Sequence, residues 1–288
     1  MTHRASNLSW TNSLASIAAV TILMLSSNAL AEVKAIPLQE YASELKNLDV
    51  SFLARDLETG TDHVLEKSDL DTRHSPLSTF KIPNMIIALE TGVAASPEAW
   101  RDWDPKRRPV EAHWPDEWKS SQTLEDAFRK STVWYYRDVA LEVGAQNYRD
   151  KLRAWHYGNV EVADGSDKFW LDDTLKISLT EQVEFLSQVA RGELPVSGQS
   201  LAALERASEA GKAGGVTLHG KSGTGPDDLN NVDGRFSGWY VGYLRRGDKE
   251  PVVFALHVSA PSFSALREFR KAFAVKLLKK AGLAPEAL

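Results

Sequence analysis

Strand-like sequence occurs in this chain at both ends and fades in between. Residues 50–56 and 63–66 read as two short strands joined across the turn Glu58-Thr59-Gly60. From 80 to about 189 such signals fade, and apolar residues recur at helical spacing over 85–93, 124–133, 139–155 and 179–190. Strand periodicity resumes at 216–221, 238–244 and 252–258, with a short polar link at 245–251 of the kind that joins antiparallel neighbours. Residues 38–48 are spaced like a short helix, and 265–281 like a longer amphipathic one with Leu266, Phe269, Phe273 and Leu277 on one stripe. The pattern predicts an α+β fold: one antiparallel sheet flanked by terminal helices, with an all-helical lobe inserted over roughly 80–190. A cleft between sheet and lobe is the natural place for a site.

The N-terminus carries a different message. Arg4 is the only formally charged residue before Glu32, residues 14–25 are an apolar run, and Ala29-Leu30-Ala31 has a small-x-small pattern. That combination reads as a secretory signal peptide over 1–31, its apolar run too short to span a membrane, with an uncleaved anchor as the alternative. The mature chain, 32–288, is then expected to be secreted and periplasmic, with no membrane partner after cleavage. A net charge of −5 argues against nucleic acid or an anionic membrane surface as partner. There is no cysteine, so disulfides, thiolate metal sites and cysteine nucleophiles are excluded, and stability must come from packing that this length permits. The seven histidines form no H-E-x-x-H or close pair, and no metal is expected. A G-x-S-x-G elbow is also absent, which lowers the case for a Ser-His-Asp hydrolase.

Gly215 to Ser222 matches the phosphate-loop pattern G-x-x-x-x-G-K-[ST], but its context is wrong for phosphate. The stretch before it is polar, Gly223, Gly225 and Pro226 forbid an immediate helix, and Val216, Leu218 and Gly220 alternate with polar neighbours as in a strand. Lys221-Ser222-Gly223 therefore sits on a strand. Ser78-Thr79-Phe80-Lys81 falls where the first strands end and the first long helix begins. A serine there has exposed backbone N–H groups nearby, and a lysine three residues on shares its face. A neutral amine or its derivative can take the hydroxyl proton and make a nucleophile. The bare pattern is weak, since Ser43-Glu44-Leu45-Lys46 also matches it.

Ser131-Thr132-Val133 and Tyr157-Gly158-Asn159 complete an ordered set: S-x-x-K, S-x-V, Y-G-N and K-[ST]-G. With these the chain resembles the class D, oxacillinase-type serine β-lactamases. The flanks at 76–84, 131–136, 167–171, 182–186 and 238–242 look like the family's signature stretches, and the likeness covers nearly the whole mature chain. The resemblance implies a serine β-lactamase / penicillin-binding transpeptidase-like fold. It also implies a secreted hydrolase that opens β-lactam amides through an acyl-enzyme on Ser78.

The same resemblance implies the site. Lys81 would be N-carboxylated by carbon dioxide and act as general base, so that carbon dioxide or bicarbonate is the only added group. The Trp170 indole would donate to the carbamate, with Val133 and Phe80 as apolar walls. Ser131 would relay a proton to the leaving nitrogen. Lys221 and Ser222 would face the cleft and orient the substrate carboxylate, with Ser222 standing where many relatives carry threonine. Gly220 and Gly223 would let the substrate lie close against the strand. The backbone N–H of Thr224 would join that of Ser78 as oxyanion hole. Arg267 is expected to pair with the substrate carboxylate, with Arg270 one turn away as the alternative. Tyr157-Gly158-Asn159 is read equally well as a structural turn. Two rival functions remain on the page: a sensor-like domain that binds β-lactams and stays acylated, and a penicillin-binding peptidase. The partners expected are small-molecule β-lactams, with the protein a monomer or homodimer, and the polar segment 226–236 is expected to bear on which of them are cleaved.

Overall fold

Seven strands line up in the order β1-β3-β2-β9-β8-β7-β6 in the computed structural model, which describes residues 1–2, 32–111 and 114–288. The signal sequence expected at 1–31 lies, save for its first two residues, outside the described residues. Two units divide the chain, Met1–Leu30 and Ala31–Leu288. Among the described residues no helix is long and apolar enough to cross a membrane.

The strands are β1 (Val33–Ile36), β2 (Asp49–Asp56), β3 (Thr61–Leu65), β6 (Glu209–Ala213), β7 (Val216–Pro226), β8 (Phe236–Arg246) and β9 (Lys249–Ala260). A separate two-stranded ribbon pairs β4 (Trp100–Arg101) with β5 (Gln122–Thr123). β9 is the seam, with Asp49 of β2 opposite Ser259 on one side and Phe236 of β8 opposite Ala260 on the other. Every pairing in the large sheet is antiparallel except β1 with β3, which is parallel, so the sheet is mixed and not the purely antiparallel one expected. The reason is the segment after β1, which carries the chain to β2 on the far side of β3 and so leaves β1 running alongside β3.

Both faces of the central strands are covered, which explains their nearly continuous apolar sequence. Successive residues of β9 point to opposite sides: Val253 and Ala255 join the helical-lobe core, while Val252, Phe254, Leu256 and Val258 join the core beneath the last helix. The lobe side is built from α1 (Lys81–Glu90), α2 (Leu124–Arg129), α3 (Val133–Val143), α4 (Ala145–Ala154), α5 (Leu179–Arg191) and α6 (Gly198–Ser208). A Ser178/Glu181 capping box starts α5, and Gly192 in the left-handed region stops it. The opposite face is closed by α7 (Phe263–Arg267) and α8 (Phe269–Lys280).

Several expected helices are shorter or broken, each at a nameable place. The 124–133 run ends at Arg129 because Ser131 takes φ 60°, and Gly144 at φ 78° separates α3 from α4. Residues 38–48 form only a 3₁₀ turn, Leu38–Tyr41, yet Tyr41 and Leu45 are buried as the periodicity required. The final helix breaks at Glu268.

Candidate active site

The stretch before Ser78 is held in an unusual conformation. Leu77 adopts φ 53°, a left-handed value rare for a branched side chain, and its N–H donates to the Trp170 carbonyl at 3.1 Å. A 3₁₀ turn, Leu77–Phe80, then runs directly into α1, so Ser78 and Lys81 nearly eclipse. Thr79 fastens the turn, its hydroxyl donating to the Pro76 carbonyl at 2.6 Å and accepting from Gln182 at 3.1 Å. Lys81 Nζ lies 2.9 Å from Ser78 Oγ. Ser43, the chance match, is in a separate turn segment.

Lys81 is fully buried, with the Tyr136 ring centroid 5.5 Å from its Nζ. Burial, and then the nearby Lys221 charge, pull its pKa well below the usual lysine value, so the neutral amine is favoured. The ring of Phe80, the residue before Lys81, stacks on Trp170 with centroids 5.5 Å apart. Trp170 is buried and its indole Nε1 has no hydrogen-bond partner. An unpartnered buried donor is uncommon. An oxygen acceptor, such as a carbamate would present, is the kind of partner this donor lacks.

A second amine lies near enough to the first for its charge to be felt there. Lys221 on β7 donates to Ser131 Oγ at 3.0 Å and to the Ser222 carbonyl at 3.1 Å. Burial and the Arg270 charge bring Lys221 down to about 7. Ser131 can be reached because its left-handed backbone ends α2 and turns the hydroxyl toward β7, while the next hydroxyl, Thr132, is tied inside to Gln122 at 2.8 Å. Val133, half-buried, opens α3 beside them.

β7 passes the nucleophile at contact distance. A Cβ placed on Gly223 would stand 3.1 Å from the Pro76 carbonyl oxygen and 3.2 Å from Ser78 N, and one on Gly220 would strike the Tyr240 hydroxyl at 2.4 Å. The glycines thus make room for the chain's own atoms, and a side chain at either position would crowd them. Ser222 and Thr224 are half-buried on β7 on either side of Gly223.

Arg267 is not at the site. Its guanidinium is 73% exposed, 3.9 Å from Glu268. Arg270 instead is buried, donates through Nη1 to the Gly223 carbonyl at 2.5 Å, and is brought down to about 10 by burial. Its Nε has no partner. The clue was in the sequence: Leu266, Arg270, Phe273 and Leu277 share a helical phase, so the arginine facing the sheet is the one on the apolar stripe.

Tyr157-Gly158-Asn159 makes the contacts of a structural turn. Asn159 donates to the Thr174 carbonyl at 2.9 Å and accepts from Lys176 N at 3.0 Å, tying its loop to the segment after Trp170. Gly158 has φ 59°, and a Cβ there would lie 2.1 Å from the Lys176 oxygen. Tyr157 is buried between Phe80 and Phe185.

Residues 43–279 match the penicillin-binding protein transpeptidase domain. The chain is 33% identical to β-lactamase OXA-11 of Pseudomonas aeruginosa, over 72% of this chain and 75% of that one. It is 27% identical to the regulatory protein BlaR1 of Bacillus licheniformis, over 77% of this chain but 35% of that one. A class D β-lactamase crystal structure from Sebaldella termitidis superposes with a TM-score of 0.79 at 27% identity, covering 88% of this chain and 99% of that one.

Proposed function

Since the chain belongs to the penicillin-binding-protein transpeptidase family and, within it, to the class D β-lactamases, we propose that it is an exported hydrolase of β-lactam antibiotics working through a Ser78 acyl-enzyme. The observation that carries the reading is Lys81: a fully buried amine with a lowered pKa, 2.9 Å from the Ser78 hydroxyl. A carbamate on Lys81 would supply the base that accepts the Ser78 proton and, later, that of the hydrolytic water. Trp170 Nε1 would hold it, with Phe80 and Val133 keeping water out.

Ser78 Oγ attacks the lactam carbonyl carbon, and the developing oxyanion meets the backbone N–H groups of Ser78 and Thr224. Collapse breaks the C–N bond, and the nitrogen takes a proton from Ser131, replenished by Lys221 at 3.0 Å. A lysine near 7 can give up a proton at neutral pH, which an ordinary lysine cannot. Lys221, Ser222 and Arg270 form the cationic and polar wall for the substrate carboxylate. Arg270→Ala is expected to lower kcat/KM by about 10- to 100-fold, the worth of a lost charged hydrogen-bond pair. Arg267→Ala is expected to stay within about twofold, as for an exposed ion pair. Steady-state kinetics on both variants check this, and the reverse ranking would return Arg267 to the site.

The sensor reading differs in one observable. With a chromogenic cephalosporin the protein should turn over many times, and intact mass should show the acyl adduct decaying. A single stoichiometric burst with an adduct stable for hours would instead place this chain with BlaR1-like receptors.

A further inference from the structure

We propose that Arg108 is a positioning residue for the Lys81 carbamate, bracing the two walls of its pocket against each other; the inference rests on the carbamate reading above. Arg108 belongs to the charged connector between α1 and α2, away from every motif of the site. Its guanidinium is buried and forked: Nε donates to Asp138 Oδ1 at 2.9 Å and Nη1 to Asp167 Oδ2 at 2.7 Å, with Nη2 2.8 Å from the same Asp138 oxygen. Arg137 closes the network on Asp167 at 3.1 Å through both Nε and Nη2.

One carboxylate sits on the helix that flanks Lys81, the other on the turn that carries Trp170. Asp138 lies on α3, two residues beyond Tyr136, whose ring flanks the Lys81 amine. Asp167 begins the turn that delivers Trp170 three residues later, where the Leu171 N–H donates to the Lys168 carbonyl at 2.7 Å. Among the described residues, no backbone hydrogen bond joins α3 to that turn. Side chains make the link instead: Arg137 of α3 reaches Asp167 directly, and the Arg108 fork adds a bridge from Asp138 to Asp167.

Buried ion pairs stabilise a fold poorly compared with apolar packing, because desolvation offsets most of the attraction. What they supply is direction: a forked guanidinium holds two carboxylates at set distances, whereas apolar side chains slide. Direction matters here because the Trp170 N–H is unpartnered within the chain. Its place depends on the stack against Phe80, the bond from Leu77 and the anchored turn.

The test is the bicarbonate requirement of the whole protein, after acid dialysis in degassed buffer, read by carbon-13 carbamate occupancy and by activity. In Arg108→Met the half-saturating bicarbonate should rise about tenfold or more, the scale of effect a small misplacement of a holding group produces. At saturating bicarbonate kcat should return to within about threefold of wild type. Arg108→Lys, which keeps the charge but not the fork, should fall between the two and decides the matter if the methionine variant does not fold. An unchanged half-saturation in a folded variant, or a kcat loss that bicarbonate does not restore, overturns the role of Arg108. Wild-type protein without any labelled carbamate would instead overturn the carbamate reading itself, and this inference with it.

Discussion

Ser78→Ala protein takes up no covalent penicillin adduct, and its kcat/KM falls by about 10⁴-fold or more, the usual consequence of losing a nucleophile. The expectation follows from geometry as well as from the motif. Ser78 is the hydroxyl within 2.9 Å of Lys81, on a turn whose strained Leu77 and fastened Thr79 leave its side chain little choice of direction. Removing the hydroxyl leaves Arg270, Lys221 and Trp170 in place, so non-covalent binding should persist while acylation does not. Intact-mass measurement after a penicillin pulse, followed by peptide mapping, checks this. An adduct that survives in the variant would move the nucleophile elsewhere, with Ser43 the sequence alternative.

Lys81 is the second large effect. Lys81→Ala should abolish measurable turnover, since general-base assistance alone is worth about 10²- to 10⁴-fold and the deacylating water depends on it too. Wild-type protein should lose activity reversibly in acid. A lysine whose folded pKa is depressed stays neutral above that value and gains its proton as pH falls through it, and an ammonium cannot hold carbon dioxide. Protein dialysed at low pH in degassed buffer should therefore be sluggish when returned to neutral pH. Added bicarbonate should restore it, and labelled bicarbonate should give a carbon-13 carbamate signal. Trp170→Ala should weaken the restoration by removing the donor. Activity indifferent to bicarbonate, with no labelled carbamate, would leave the free amine as the base.

Much of this site was legible because its spacing is local. Ser78 and Lys81 are one turn apart, and the position of the pair at a strand-to-helix junction is visible in the sequence. Lys221 was placed on a strand by alternation and by the helix-breaking residues that follow it, and it is on β7. What was misread depends on which neighbour a side chain meets. That Tyr240, Pro76 and Ser78 crowd Gly220 and Gly223 was not visible, because none of those contacts is local. Arg267 and Arg270 carry the same chemistry, and only the phase of the buried stripe separates them. The Arg108 network was not legible at all, because its partners lie 30 and 59 residues away in the chain.

β9 also governs when the site comes into being. Ser78 follows the first strands and Lys221 lies on β7, while the strands that join these halves, β2 and β9, come from near opposite ends of the described chain. Pairing such distant segments carries a loop-closure cost and a high contact order, so it is expected to be a late and slow step of folding. The helical lobe, rich in local contacts, can form before it. Nucleophile and amine can pair within their own turn early, but the strand carrying Lys221, Thr224 and the Arg270 contact docks only once β9 bridges the sheet. A partly folded or unfinished chain is therefore expected to be unreactive toward a β-lactam, so that acylation, measured during refolding, should appear only with the completed sheet.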